Sequence, residues 1–349
     1  KLAPWIGVYG IGALAAFIAA WVACAWPPVG PRRAVVIALV ALALDMASDR
    51  TAALGFTAPT GTLSVTLLQG NIPQEEKFAS EHQGAALQWH VEQMLAATTD
   101  LVLAPETAVP FLPQQMPEDF WPALRARFAT GRTHALFGVP LGDDQSGYTN
   151  SAVGFAPGAA AEYRYDKHHL VPFGEFIPTG FKWFTRMMNI PLGDFNRGAL
   201  DAPSFVVAGE RVAPNICYED LFGEALAARF GDPARAPTMF ANLSNIGWFG
   251  DTIAVEQHLN ISRMRALEFQ RPMLRATNTG ATVIIDHRGD VTKGLKPFTR
   301  GVLEGTVQGR SGLTPFAWWA SRWTLWPPAI LALVIAAGFA WRARRRHAL

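Results

Sequence analysis

The chain has 349 residues, of which 50% are hydrophobic and 17% charged, and its net charge is +2. This charged share is below the usual quarter for a soluble protein, so part of the chain is expected to lie outside water. The small net charge argues against a nucleic-acid-binding surface, and two cysteines are too few for a disulfide framework.

Three apolar runs are predicted to cross a membrane. The first, residues 4–26, contains no charged residue over a length that spans about 30 Å of hydrocarbon as a helix. The second, residues 34–44, is short enough to be a buried core helix, but a second span is favoured. The third lies in WTLWPPAILALVIAAGFAWRARRR (323–346), where aromatic residues flank the apolar stretch and arginines follow it.

The basic residues orient these spans. Arg32 and Arg33 lie in the loop between the first two runs, a block of arginines follows the third, and short basic loops stay in the cytoplasm. The long intervening segment is therefore expected outside the cytoplasm. The predicted organisation is two transmembrane helices in 1–48, a linker at 49–62, an extracytoplasmic domain at 63–310, and a transmembrane helix with a basic cytoplasmic tail at 311–349.

The segment between the spans alternates strand-like and helix-like runs. Several strand-like runs are apolar on both faces, which is typical of covered sheets, and the helix-like runs repeat apolar residues at three- and four-residue spacing. This alternation predicts an α/β domain with helices over the sheet. The predicted strands are 63–69, 101–106, 134–140, 211–219, 238–244 and 281–287, and the predicted helices are 83–98, 118–130, 220–230 and 254–270.

Cys217, in VAPNICYEDLFGEA (212–225), ends a predicted strand directly before a predicted helix. Free cysteine is usually a buried packing residue, so a nucleophile is the less common alternative and needs a base from elsewhere in the chain. A strand-to-helix turn exposes a nucleophile at the sheet edge, where the helix N-terminus stabilises a thiolate. Asp220 is part of such a site or only an N-cap. Cys24 lies in the first apolar run and is expected to be inert.

Glu106 and Lys167 are candidates for the base and for a cation. Glu106 follows the apolar strand in LVLAPETAVPF and is either a partly desolvated general base or an exposed strand-end glutamate. Lys167 lies among aromatic residues and prolines in YRYDKHHLVPFGEFIP (163–178), with Glu175 eight positions further on. It either stabilises an oxyanion or lies at the surface past aromatic rings.

Together these segments resemble the nitrilase, or carbon–nitrogen hydrolase, superfamily, whose sites combine a glutamate, a lysine and a cysteine in that chain order. Within it the chain is most similar to the apolipoprotein N-acyltransferase family. The similarity covers residues 63–310 and is carried by QGNIPQEEKF (69–78), APETAVPF (104–111), YDKHHLVPFGEFIP (165–178), ICYED (216–220), WFGD (248–251) and QHLNISRMRALEFQRPMLRATNTG (257–280).

The resemblance implies a fold and a set of site residues. The implied fold is a nitrilase-like α-β-β-α sandwich flanked by transmembrane helices. Glu106 matches the base, Lys167 the oxyanion lysine and Cys217 the nucleophile. The matching positions that the family needs for activity are Glu175, Tyr218 and Glu219.

The implied activity is a two-step acyl transfer in a bacterial inner membrane, by a multi-pass protein with its catalytic domain on the periplasmic side. The cysteine takes an acyl chain from a phospholipid as a thioester, and the N-terminal amine of a diacylglyceryl-cysteine lipoprotein then accepts it. No cofactor, metal or nucleic acid is expected. The alternatives are a nitrilase-like membrane protein of a conjugal plasmid-transfer system with a different acceptor, and a membrane-tethered amide hydrolase.

Other polar and aromatic residues receive weaker assignments. The candidates for lining the substrate cleft are Phe78, Asn242, Asn245 and Trp248. His168 and His169 have no companion ligands at metal spacing and are expected to be loop or supporting residues. His258 is expected to be a packed or capping histidine, and RMRALEFQR (263–271) to present a solvated basic face.

Overall fold

The computed structural model describes residues 1–24, 55–73, 80–178 and 195–347, with positions 35 and 39 as single residues. Apart from those two positions, the second predicted span lies outside the described residues. The loop arginines Arg32 and Arg33 and the candidate Phe78 lie outside them as well.

The described helices and strands alternate along the chain. The helices are α1 (Ala3–Cys24), α2 (Ser80–Ala96), α3 (Phe120–Phe128), α4 (Gly223–Ala227), α5 (Ala254–Phe269), α6 (Pro315–Trp323) and α7 (Trp326–His347). The strands are β1 (Thr57–Gln69), β2 (Leu101–Leu103), β3 (His134–Asp143), β4 (Gly147–Phe155), β5 (Tyr163–Asp166), β6 (Phe205–Val207), β7 (Glu210–Ile216), β8 (Met239–Ser244), β9 (Met273–Thr277), β10 (Val283–Ile285), β11 (Val291–Gly294) and β12 (Gly301–Gly312).

The strands form two mixed sheets of six strands each. The first has the order β12-β1-β2-β3-β4-β5 and the second the order β11-β10-β9-β8-β7-β6. In the first sheet β1, β2 and β3 are parallel, and in the second β7, β8 and β9 are parallel. The remaining pairs are antiparallel. Polar residues that follow the parallel strands are therefore brought to the carboxyl edges of the two sheets.

The core lies between the two sheets, with helices on their outer faces. Apolar side chains from both sheets, such as Leu67 and Leu103 of the first and Ile216 and Leu243 of the second, form one buried cluster. Helices α2 and α3 cover the outer face of the first sheet. Helices α4, α5 and α6 cover the outer face of the second. The predicted α-β-β-α sandwich is confirmed, because each sheet is apolar on both faces and both faces are covered.

Several boundaries differ from the sequence-based prediction. Strand β1 begins at Thr57, inside the segment that was predicted as a linker, because its first residues pair with the end of β12. Strand β7 ends at Ile216, so Cys217 begins the following turn. The helix predicted at 220–230 is broken into a 3₁₀ turn at Cys217–Leu221, the short α4 and a second 3₁₀ turn at Ala228–Phe230.

The basic face predicted for RMRALEFQR is wrong. Arg265 and Arg271 are among the largest fully buried side chains. Of the three arginines in this segment, Arg263 alone is partly exposed. The guanidinium of Arg271 donates to the backbone carbonyls of Pro237 and Gly312, and these hydrogen bonds join three segments of the chain. Buried carbonyl acceptors, which a pattern of residue types does not reveal, make burial of these cations possible.

One helix in the described part of the chain is long and apolar enough to cross a membrane by itself. It is α1, whose residues Ala3–Ala20 have a mean hydropathy of 1.7. Helices α6 and α7 meet these criteria only as a pair, and they are bent by 85° at the break between them. Helix α6 packs Phe316 and Ala320 into the domain core, whereas the apolar side chains of α7 are largely exposed.

Candidate active site

Glu106 lies just beyond the end of β2 and is buried. Its Oε1 accepts hydrogen bonds from Asn150 Nδ2 at 2.7 Å and from Lys167 Nζ at 3.3 Å. Its Oε2 accepts from the backbone N–H of Asn245 at 2.9 Å, so residues from both sheets hold the carboxylate. The alternative of an exposed strand-end glutamate is wrong, because only 7% of its surface is accessible.

Lys167 follows β5 and is 1% exposed. Its Nζ lies 2.9 Å from Glu175 Oε1 and 3.3 Å from Glu106 Oε1, and 5.6 Å from the centre of the Tyr218 ring. Burial alone would lower the pKa of this lysine, but the negative charges of Glu106 and Glu175 outweigh it and raise the pKa above its usual value. Lys167 is therefore a fixed buried cation at neutral pH, and the surface alternative is wrong.

Asn150 joins the two carboxylates and was missed by the sequence analysis. Its Nδ2 donates to Glu106 Oε1 and, at 2.6 Å, to Glu175 Oε1, so the amide and the Lys167 ammonium bridge the same two oxygens. The other oxygen of Glu175 accepts from the backbone N–H of Val171 at 2.8 Å. An asparagine in the middle of the buried strand β4 was the available signal, since buried amides require partners.

Cys217 occupies the first position of the 3₁₀ turn after β7 and has a backbone φ of 55°. Burial, with the charge of Glu106, raises the pKa of its thiol to about 12, against the lowering effect of the Lys167 charge. The thiol is thus protonated at neutral pH and lies within electrostatic reach of both Glu106 and Lys167. A protonated thiol in this setting needs a base to become a nucleophile.

Tyr218 and Glu219, next to Cys217, tie its turn to the loop that carries Lys167. The Tyr218 hydroxyl donates to the carbonyl of Leu170 at 2.6 Å. Glu219 is buried, and its Oε1 accepts from the backbone N–H groups of His168 at 2.7 Å and His169 at 3.1 Å. Its Oε2 accepts from the hydroxyl of Tyr165 and from the N–H of Ile216, both at 2.7 Å. Glu219 therefore fixes the spacing of the cysteine and lysine segments.

The candidate lining residues lie in different environments. Asn242 is fully buried, and its Nδ2 donates to Asn215 Oδ1 at 2.6 Å and to the carbonyl of Cys217 at 2.8 Å, so it supports the turn from within. Asn245 is buried beside Glu106, and its side chain accepts from Asn278 at 3.0 Å. Trp248 is 69% exposed in the 3₁₀ turn Ile246–Phe249 that follows β8.

The three histidines are structural in their contacts. The Nδ1 of His168 donates to the carbonyl of Gly198 at 2.6 Å, because a carbonyl only accepts. The ring of His169 stacks on Phe222, and burial, together with the nearby His168, lowers its pKa to about 4. His258 lies against Asp220 below the cysteine turn. Among the described residues no group of three or more His, Cys, Asp or Glu side chains has the arrangement of a metal site.

Comparisons with known proteins show the family of the chain. The family model of the carbon–nitrogen hydrolases matches residues 64–316. An apolipoprotein N-acyltransferase of Verminephrobacter eiseniae is 55% identical over 343 residues, with 93% of this chain and 64% of the relative covered. One of Ralstonia nicotianae is 50% identical over 316 residues, with 90% and 60% covered. The chain thus spans less than two thirds of the length of these relatives.

A solved structure is similar in fold. The crystal structure of a CN-hydrolase superfamily protein from Xanthomonas campestris superposes with a TM-score of 0.50 at 20% sequence identity. The match covers 76% of this chain and 96% of that chain.

Proposed function

Because the chain belongs to the carbon–nitrogen hydrolase family and groups by sequence with the apolipoprotein N-acyltransferases, we propose that it is a membrane acyltransferase with Glu106, Lys167 and Cys217 as its catalytic residues. It moves an acyl chain from a phospholipid to the N-terminal amine of a diacylglyceryl-cysteine lipoprotein. The observation that carries the proposal is the buried Lys167 ammonium, which lies between two carboxylates next to a cysteine on a left-handed turn.

The first step is attack of Cys217 on the ester carbonyl of the phospholipid. With a thiol pKa of about 12, only about one molecule in 10⁵ is a thiolate at pH 7, so the proton has to leave during the attack. Glu106 is the base, and hydrogen bonds from Asn150, Lys167 and the Asn245 backbone keep its carboxylate aligned. The sulfur–carbon bond forms and the thiol proton moves to Glu106. The ester carbon–oxygen bond then breaks, the leaving oxygen takes the proton from Glu106, and a lysophospholipid departs.

Lys167 stabilises the charge that develops in this step. The tetrahedral intermediate carries a negative oxygen, and a cation in a buried site is worth far more there than in water. Because the two glutamates raise the pKa of Lys167, it keeps its positive charge while the proton is exchanged between Cys217 and Glu106. Glu175 and Asn150 hold the Lys167 ammonium and the Glu106 carboxylate in place through hydrogen bonds.

The second step is attack of the lipoprotein amine on the thioester. The amine nitrogen bonds to the acyl carbon, the thiolate leaves, and a proton returns to it from the amine through Glu106. Water has to be kept from the thioester, which a site next to the membrane favours. The exposed apolar surfaces of α1 and α7 support a membrane location, and the proposed setting is a bacterial inner membrane with the domain on the periplasmic side.

Intact-mass measurement of the purified chain tests the proposal. After incubation with phosphatidylethanolamine vesicles, the chain is expected to gain the mass of one acyl chain. Cys217→Ala is expected to lose the adduct, and the matched control Cys24→Ala to keep it. A diacylglyceryl lipopeptide with a free N-terminal amine is expected to discharge the adduct, and its N-acetylated form is not. Hydrolysis of small amides with no adduct in any lipid would replace the proposal by an amide hydrolase.

A further inference from the structure

The left-handed backbone of Cys217 has to be held by its surroundings. A φ of 55° strains the backbone of a residue with a side chain and persists only where neighbours fix it. The Cys217 carbonyl accepts from Asn242 Nδ2 at 2.8 Å and lies 3.3 Å from His258 Nε2. His258 belongs to α5, so this contact joins the nucleophile turn to the long helix behind the second sheet.

The groups around His258 form a buried charged cluster. Asp220 Oδ1 lies 3.0 Å from His258 Nε2, and Asp220 Oδ2 accepts from the Ser262 hydroxyl at 2.5 Å and lies 3.5 Å from Arg275 Nη1. Arg275 Nη1 donates to Ser262 Oγ at 2.6 Å. Asp220 and Arg275 are both fully buried. The N-cap interpretation of Asp220 is wrong, because Ile216 precedes the turn and the Asp220 carboxylate is directed to this cluster.

Arg275 fixes the protonation state of the His258 ring. Its Nη2 lies 2.9 Å from His258 Nδ1, and a guanidinium has only donors, so Nδ1 accepts. The ring is then neutral with its proton on Nε2, which donates to Asp220 and to the Cys217 carbonyl. A second proton, on Nδ1, would put two donors face to face. The arginine therefore keeps the His258 donor directed at the turn.

We propose that Asp220, His258 and Arg275 are positioning residues that hold the Cys217 turn in its reactive conformation through the Nε2–H of a neutral His258. The proposal rests on the proposed function in that Cys217 is the nucleophile. Without the His258 donor the turn relaxes towards an ordinary backbone conformation, so that the thiol becomes hydrated and turns away from Glu106 and Lys167. Substrate binding is not affected, since none of the three side chains reaches an open surface.

Two amide replacements in the full chain separate the two ends of the ring, in a Cys24→Ala background where Cys217 is the remaining thiol. In His258→Asn, the amide oxygen takes the place of Nδ1 opposite Arg275, but no donor reaches the turn. In His258→Gln, the amide nitrogen takes the place of Nε2. We expect His258→Asn to form the thioester at least about tenfold more slowly with an unchanged half-saturating phospholipid concentration, and His258→Gln to stay within about threefold of its parent.

A lipid-free measurement makes the test independent of acyl transfer. The rate of alkylation of Cys217 by iodoacetamide is followed against pH. Because burial raises the thiol pKa, a hydrated thiol is expected to react at lower pH. The midpoint, which is the pH at which the alkylation rate is half of its maximum, should therefore fall in His258→Asn and not in His258→Gln. His287→Asn, on the turn after β10, is the matched control and should behave as the parent. Asp220→Asn weakens the same hydrogen bond and is expected to shift the midpoint in the same direction, should His258→Asn fail to fold.

The outcomes are distinguishable. If no thioester forms in the parent but the midpoint falls as expected, the proposed function fails and the positioning network stands. If His258→Asn or Asp220→Asn is folded and has the parent's midpoint, the network does not position Cys217. An equal fall in His258→Asn and His258→Gln would mean that the ring only fills space, and would overturn the proposal.

Discussion

Gly138, in β3, is expected to control the position of Glu106. A methyl group at Gly138 would lie 2.4 Å from the backbone nitrogen of Thr107, 2.6 Å from Glu106 Cα and 2.7 Å from the carbonyl of Pro105. All three atoms belong to the backbone that carries the base, and this backbone is also hydrogen-bonded to Gly138. A flexible side chain cannot relieve the clash, so the segment itself has to move.

The size of the effect follows from these distances. Carbon atoms in contact are about 3.5–4.0 Å apart, so Gly138→Ala has to displace the Glu106 backbone by about 1 Å. A misplacement of this size costs about 10²-fold in rate, and overpacking of a core costs about 1–3 kcal/mol. We expect thioester formation in Gly138→Ala to be about a hundredfold slower and the free energy of unfolding to fall by about 1–3 kcal/mol.

The rate of thioester formation is obtained from the intact mass of samples quenched at successive times. The free energy of unfolding is obtained from thermal unfolding. The matched control is Gly84→Ala in α2, where no atom lies within 4 Å of the added methyl group. This control is expected to keep its rate and to gain about 0.5–1 kcal/mol, because alanine favours a helix interior over glycine. A Gly138→Ala chain that is folded and acylates at the parent rate would refute the dependence on the Glu106 position.

Three further predictions concern the buried polar groups. Asn150→Leu removes the donor shared by Glu106 and Glu175 and is expected to slow thioester formation by about tenfold or more. Asn150→Gln is the control for side-chain polarity. A wild-type rate in Asn150→Leu would contradict the bridging role. Burial raises the pKa of Glu268 to about 7, so ionisation of this carboxyl destabilises the fold. Between pH 4.5 and 7 the free energy of unfolding of the wild type is expected to fall by up to about 3 kcal/mol relative to Glu268→Gln, as measured by unfolding at different pH values. A difference that does not change with pH would be inconsistent with this. Burial raises the pKa of Asp220, but the hydrogen bonds from His258 and Ser262 and the charge of Arg275 lower it overall. The ionised form therefore stabilises the fold above pH 3.8, and the wild-type advantage over Asp220→Asn should disappear as the pH falls below that value. An advantage that persists in acid would argue against the ion pair.

The parallel strands were predictable because their residues are apolar on both faces. The predicted strands at 134–140 and 238–244 match β3 and β8 closely, and the helix at 254–270 matches α5. The predictions failed where a long-range contact decides the structure. The first residues of β1 are a strand because they pair with β12, some 250 positions later, and no local pattern contains that information.

The site shows the same division between local and long-range information. Glu106 and Cys217 were singled out from their positions at the ends of predicted strands, and Lys167 from its place among aromatic residues and prolines. The resemblance of the three segments to a family then joined them. Asn150 and Arg275 were not found, since an asparagine in a strand and an arginine in a buried run become meaningful only through their partners. The solvated face predicted for 263–271 was wrong for the same reason, because the residue type does not reveal whether a buried acceptor exists.

The sequence by itself determined the layered α/β architecture, the apolar helices at the two ends of the described chain and the three candidate catalytic residues. These depend on periodicity, hydropathy and short motifs, which are local properties. Only the tertiary structure decided that Lys167 lies between two carboxylates, that Asn150 bridges them, and that the Cys217 turn rests on His258. These are contacts between residues 8 to 61 positions apart, and their energies depend on burial and on distances between atoms that only the folded chain brings together.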